Sequence, residues 1–371
     1  MIKISIKIYF ALLVFALIFS CNHKKSLLDM EAQEKILNNL KNALDSGQAI
    51  QRKEPFVRRT FDPYLSGKWI GNAVAYGCYR RGQHPGQKGP SKEEIIQDLN
   101  IIIKHWNLIR VYNADDDTEN ILEVIRENTF PVKMMLGVWL AKETDDPGQK
   151  ERNIENVLRA IRLANAYDDI IIAINVGNET QVDWSWHKMQ MENLLRYIRA
   201  VRENVSLPVT TADDYNFWNK EHSNQVAAEL DFIATHIHPV WNGKTLQNAI
   251  QWQDSTLKDL QTRHAHYNII LAETGWPTKY DVSKNGPGEQ GSLVRGEISI
   301  KAQERYLVDL NNWISHNKIT TFLFEAFDEP WKGGGNASGT DDIEKNWGVF
   351  YEDRTPKESF KNYIENNTDL K

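Results

Sequence analysis

With 371 residues and a formal net charge of −6, the chain can form one large domain or two ordinary ones, and length alone does not decide between them. Its 41% hydrophobic and 25% charged residues are the balance of a soluble globular protein. The acidic balance and the lack of any basic patch interleaved with aromatics argue against a nucleic-acid partner.

The first residues read as a targeting signal. Lys3 and Lys7 precede an apolar stretch from Ile8 to Phe19, too short to span a bilayer and of the length of a secretory core. It ends Leu17-Ile18-Phe19-Ser20-Cys21, which resembles a bacterial lipoprotein cleavage site, although Phe19 is bulkier than usual there. Residues 1–20 are expected to be removed and Cys21 lipidated. The protein would then be secreted across the inner membrane and lipid-anchored, with the outer membrane as destination. Cys78 is then the one remaining thiol, so no intramolecular disulfide can form. Residues 21–60 read as a tether. Leu37, Leu40 and Leu44 stand at helical spacing before Gly47, as a helix on the outside of the domain or a partly ordered spacer.

From about Phe61 to residue 371, apolar runs alternate with helical patterns, which implies βα units and a parallel sheet. The expected strands are Ala73–Tyr76, Leu108–Tyr112, Val132–Leu140, a run from Ile170, Pro208–Asp213, Phe232–His236, a run from Ile269, and Thr320–Phe327. Ser91 and Glu94 form a capping box that opens a helix over Lys92–His105. Further helices are expected over Glu119–Asn128, Asn153–Ala164 and Lys188–Glu203, with a closing helix containing Phe360–Ile364. Eight such units predict a single (β/α)8 TIM barrel, and the ~310 residues after the tether suit one with loop insertions. An open doubly wound sheet would show a Gly-rich phosphate fingerprint after an early strand; Gly82 and Gly86 do not fit that spacing.

Two runs stand out. Ile170 to Ile174 leads into Asn175-Val176-Gly177-Asn178-Glu179, and Ile269 to Ala272 leads into Glu273-Thr274-Gly275-Trp276-Pro277. Each is an aliphatic strand that ends on an acid, and strand ends are where barrel active sites are built. Two carboxyl groups at one mouth suit glycoside hydrolysis. Each acid alone also fits a stabilised helix N-terminus. His236 and His238 lie on one strand face, but no further His or acid cluster has ligand spacing, so no metal and no cofactor are expected.

The run Ala272 to Thr278 resembles the signature of glycoside hydrolase family 17, the endo-β-1,3-glucanases and related transglycosylases. Val176-Gly177-Asn178-Glu179 matches that family's second carboxylate motif. Tyr76-Gly77, Ile109-Arg110-Val111-Tyr112, Phe324 to Lys332 and Glu344 to Phe350 extend the resemblance over nearly the whole barrel. The resemblance implies Glu273 as nucleophile, Glu179 as general acid/base, and Asn178 as partner of a sugar 2-hydroxyl. Arg110 and the His236/His238 side are candidates to keep the nucleophile charged. Glu329, Lys332 and Glu344 match charged residues of the family, where a supporting network is expected. Tyr76, Tyr112, Tyr215, Trp241, Trp276, Trp331 and Trp347 are placed along a sugar cleft. After strand six, and in an insertion around Gln83 to Gly89, the chain departs from the plant members and is nearer the fungal and bacterial branch.

The expected function is a monomeric, retaining endo-β-1,3-glucanase acting on laminarin-type β-1,3-glucan through a covalent glycosyl-enzyme. The alternatives are a β-1,3-glucanosyltransferase, in which a second sugar replaces water, or a non-catalytic glucan-binding lipoprotein.

Overall fold

The computed structural model describes residues 31–287, 289–335 and 338–366. The signal segment and Cys21 lie outside the described residues. The chain divides into two compact units at Ile50/Gln51. In the first, a helix over 31–45 ends at Gly47, whose φ of 72° lets the Gln48 N–H reach back to the Ala43 carbonyl.

The second unit is a closed barrel of eight parallel strands: β1 Asn72–Ala75, β2 Leu108–Arg110, β3 Lys133–Val138, β4 Ile171–Asn178, β5 Val209–Asp214, β6 Ile233–His236, β7 Ile269–Thr274 and β8 Thr321–Leu323. Each strand pairs with its neighbour in sequence, and β8 closes on β1. Both faces of these strands are covered, so they read as unbroken aliphatics. The interior is small-walled: Ala73, Ala173, Ala212, Ala234 and Ala272 leave room for Met135, Phe232 and Phe322. Phe61, ahead of the first strand, stacks on Phe232 at 4.7 Å and joins that cluster.

Helices cover the outside. The capping box forms as expected: Ser91 Oγ accepts from Glu94 N–H, and Glu94 Oε2 accepts from Ser91 N–H. The helix after β2 starts earlier than expected, at Asp116, because the Asp115 side chain caps it by accepting from Thr118 N–H. The helix after β3 is also longer than expected, Gln149–Ala166. Unit five departs most from the pattern. After β5 come only two short helices, Tyr215–Trp218 and Ser223–Ala227. The eighteen-residue helices Leu246–Arg263 and Ile300–Asn317 follow β6 and β7.

Residues 51–60, expected within the tether, are bound to the barrel. Arg59 donates from its guanidinium to the Arg202 and Leu207 carbonyls and from its backbone to Asp231. Phe56 lies under the guanidinium groups of Arg52 and Arg202. A two-stranded hairpin, Tyr64–Leu65 with Lys68–Trp69, then precedes β1. Among the described residues no helix is long and apolar enough to cross a membrane.

Candidate active site

Glu179 is the first residue past β4, and Glu273 is the penultimate residue of β7. Register shifts on both strands aim them. The β4–β5 pairing slips between Asn175 and Asn178, and β7 slips against both β6 and β8. Such slips turn a side chain that strict alternation would send elsewhere. On β7 the next residue, Thr274, shows the outward direction: its hydroxyl meets Gln253 and Tyr306 on the surrounding helices. Glu179 has a φ of 49° and follows Gly177 at 84°. A non-glycine residue in that region is strained by about 1–3 kcal/mol. Its backbone N–H, bonded to the Ala212 carbonyl at 2.9 Å, helps hold it there.

One imidazole joins the two acids. His236, the last residue of β6, places Nδ1 2.8 Å from Glu179 Oε1 and Nε2 3.4 Å from Glu273 Oε1. Two residues on, His238 sets Nε2 3.2 Å from Glu273 Oε2. From β2, Arg110 donates to Glu273 Oε1 at 2.5 Å and to Asn178 Oδ1 at 2.5 Å, and the Tyr112 hydroxyl donates to Glu273 Oε1 at 3.0 Å. Asn178 is thereby tied to the nucleophile candidate by a single guanidinium fork.

Glu273 is 6% exposed. Burial alone would push its carboxyl up, but His236, Arg110 and the His238 bond outweigh that and hold it well below the usual carboxylate range. Burial, reinforced by the Glu273 charge, keeps the Tyr112 hydroxyl protonated as a donor. Glu179 is more open, with 27% of its side chain exposed.

Glu329 and Lys332 do form a charged network, and its third member, Glu325, was given no role in the sequence reading. Lys332 Nζ lies 2.7 Å from Glu325 Oε2 and 2.5 Å from Glu329 Oε2, and Trp331 Nε1 donates to Glu329 Oε1. Burial and the neighbouring Glu329 charge push Glu325 far up. Glu329 goes the other way: burial is overcome by Lys332 and by a hydrogen bond from Glu325. The Tyr-Gly pair now has a reason. A side chain at Gly77 would start 1.9 Å from Glu329 Oε1. Phe324, beside this cluster, packs edge-on against His238 at 5.5 Å. Glu344 lies half-buried in the turn Ile343–Lys345, its backbone N–H bonded to Asp342.

Asp213 and Asp214, also unremarked in the sequence, stand behind Glu179. Asp213 accepts from the Gln181 N–H at 2.8 Å and so ties down the chain just after Glu179. Burial, with the charge of Glu179 added, pushes Asp213 well up, and Asp214 is pushed up to about 6. Their only sequence signal was two adjacent acids at a strand end.

Two expected cleft aromatics are corrected. Tyr76 is buried with its hydroxyl on Asp98 of the helix after β1, and Trp276 is buried on Tyr306 with Nε1 bonded to the Glu297 carbonyl. Both face the helices, not the mouth. Trp241 is half-buried against Trp347, and Tyr215 donates to Asn242. Trp331 is half-buried and flanked by Tyr79 and His84, so the insertion around Gln83 to Gly89 covers it. Among the described residues no group of His, Cys, Asp or Glu is arranged to hold a metal ion.

A btgC protein of Aspergillus niger is 30% identical over 297 residues, covering 74% of this chain and 41% of its own length. The "Glucan endo-1,3-beta-glucosidase btgC" of Emericella nidulans is 26% identical over 289 residues, 72% of this chain and 42% of its own. The chain thus spans about two-fifths of the length of these relatives. The structure of an endo-laminarinase from Formosa Hel1_33_131 superposes with a TM-score of 0.68 at 23% identity, covering 80% of this chain and 88% of that one. The family model of the BtgE/BtgC glycoside hydrolase domain matches residues 73–348, and the chain belongs to that family.

Proposed function

We propose that the chain is a retaining endo-β-1,3-glucanase with Glu273 as nucleophile and Glu179 as general acid/base. The carrying observation is that Glu273 is buried yet held ionised while sharing His236 with a second, more open glutamate. In the first half-reaction a Glu273 oxygen bonds to the anomeric carbon, the glycosidic C–O bond breaks, and Glu179 gives its proton to the departing oxygen. In the second, a water oxygen attacks that carbon, Glu273 is released, and the water proton passes to Glu179. Asn178, fixed by Arg110, is placed to bond the sugar 2-hydroxyl. Because Arg110 holds both side chains, attack and 2-hydroxyl recognition share one anchor.

The names of the Emericella relative and the Formosa structure support the 1,3-linked glucan as substrate. The test is laminarin turnover with NMR detection of the first-formed anomer. Retention in the wild type and loss of turnover in Glu273→Gln are expected; a Glu273→Gln variant as fast as wild type removes the nucleophile assignment. The reading includes a lipid anchor at Cys21, export to the outer membrane and a monomeric enzyme, supported by the sequence alone. Labelled palmitate that enters the protein equally with Cys21→Ser would end the anchor assignment.

A further inference from the structure

The loop after Glu179 carries two of the most exposed large side chains in the barrel unit, Trp186 at 77% and Trp184 at 60%. Isolated exposed aromatics need no explanation, but grouped ones do. Trp186 stands 6.4 Å from Trp139, the residue just past β3, with the rings inclined at 39°. His187 lies against both, 4.7 Å from Trp139 and 4.9 Å from Trp186. Trp139 is itself fixed: its N–H donates to Asn113 Oδ1, and its carbonyl accepts from Asn156. His187 Nε2 is 2.6 Å from the Asn178 carbonyl oxygen, so the group is fastened to the residue immediately before Glu179.

We propose that Trp139 and Trp186, braced by His187, form a stacking platform for a glucose unit on the leaving-group side of the cut. This rests on the glucanase reading and deepens it. The side follows from the chemistry. The acid donates to the departing oxygen, so the departing chain lies towards Glu179. The platform is built on β3 and on the loop of Glu179's own strand, whereas the partners of Glu273 come from β2 and β6. Flat aromatic faces suit the C–H faces of a pyranose, and continuity with the two glutamates sets a glucan chain as occupant. The same surface holds an acceptor sugar in the second half-reaction. There an acceptor hydroxyl oxygen bonds to the anomeric carbon, the C–O bond to Glu273 breaks, and the hydroxyl proton moves to Glu179. The products then include chains longer than the substrate.

The experiment compares wild type, Trp186→Ala and Trp186→Tyr on laminarihexaose and on a nitrophenyl β-laminaribioside, whose leaving group offers the platform no glucose unit. Trp186→Ala is expected to lower kcat/KM on laminarihexaose by about tenfold, the scale of one lost aromatic contact, and to deplete products longer than the substrate. Its turnover of the nitrophenyl substrate stays within about twofold of wild type, and Trp186→Tyr recovers most of the loss. Equal losses on both substrates, or none on laminarihexaose, overturn the platform. So does unchanged glucan cleavage with weakened retention on phospholipid vesicles, which would assign the rings to a membrane. A wild type inert on both substrates is a different result: it sinks the glucanase reading, and the platform with it.

Discussion

The barrel rim carries two pairs of glutamates, Glu179/Glu273 and Glu325/Glu329, and their surroundings give them opposite characters. Glu325 and Glu329 are sealed, with side chains 0% and 2% exposed, and share a proton under the ammonium of Lys332. Lys332 stays charged because the two carboxylates more than offset its burial. In the other pair the bridging group is an imidazole, which can donate or accept at either nitrogen. One member is buried and held ionised, while the other faces solvent. Two carboxyl groups in proximity therefore do not make a catalytic pair. What sets the Glu179/Glu273 pair apart is that one of its members faces solvent, where a substrate can reach it.

Glu273→Gln should break the working pair outright. Laminarin kcat/KM is expected to fall by about 10⁴-fold or more, because an amide cannot supply the carboxylate that the proposed covalent step requires. Lys332→Met attacks the sealed pair and should appear first as lost stability. It leaves a buried carboxylate unpaired, a loss of roughly 3–5 kcal/mol measurable by urea unfolding.

Asp214→Asn sharpens the contrast through pH. Asp214 has its carboxyl pushed up to about 6 by burial and by Glu179, against about 3.9 in an unfolded chain. Below both values the residue is protonated in either state and has no effect. Between them the unfolded chain releases its proton first, so native stability falls as pH rises, and above about 6 the full penalty applies. The neutral variant should gain up to roughly 2–3 kcal/mol at pH 7 and little below about pH 4. A gain independent of pH would mean that Asp214 is not strained by its charge. The smallest effect is expected from Glu325→Gln. Glu325 already carries the proton, so an amide of the same shape should change the unfolding free energy by less than about 1 kcal/mol. A loss as large as that of Lys332→Met would show that Glu325 is ionised.

The barrel and its two acids were legible because strands covered on both faces leave an unmistakable aliphatic run. The two acids also stand within one residue of the ends of β4 and β7. Direction was harder to read. Tyr76 and Trp276 sit at strand ends, but they lie on the faces that meet the helices, and a sequence shows position along a strand more readily than which way it turns. The register shifts that aim Glu273 leave no mark in composition. Helix boundaries failed for a related reason. Asp115 is one of three consecutive aspartates that look like a loop, and only its bond to the Thr118 N–H marks it as a cap. The hairpin at Tyr64–Trp69 has two-residue strands, too short for any alternation to register. Glu325 was quoted within a motif, but its burial beside Lys332 depends on long-range packing. Trp186 looked like one tryptophan among twelve until the fold set it beside Trp139.

The way the chain enters the barrel has a consequence for orientation. Arg59 binds carbonyls just ahead of β5, and Phe61 stacks under the first residues of β6, at the end of the cylinder opposite Glu179 and Glu273. The entering segment is thus fixed at the foot of the cylinder, and the mouth that carries Glu179 and Glu273 opens at the other end, built by strand ends and loops to which residues 51–61 contribute no bond described above.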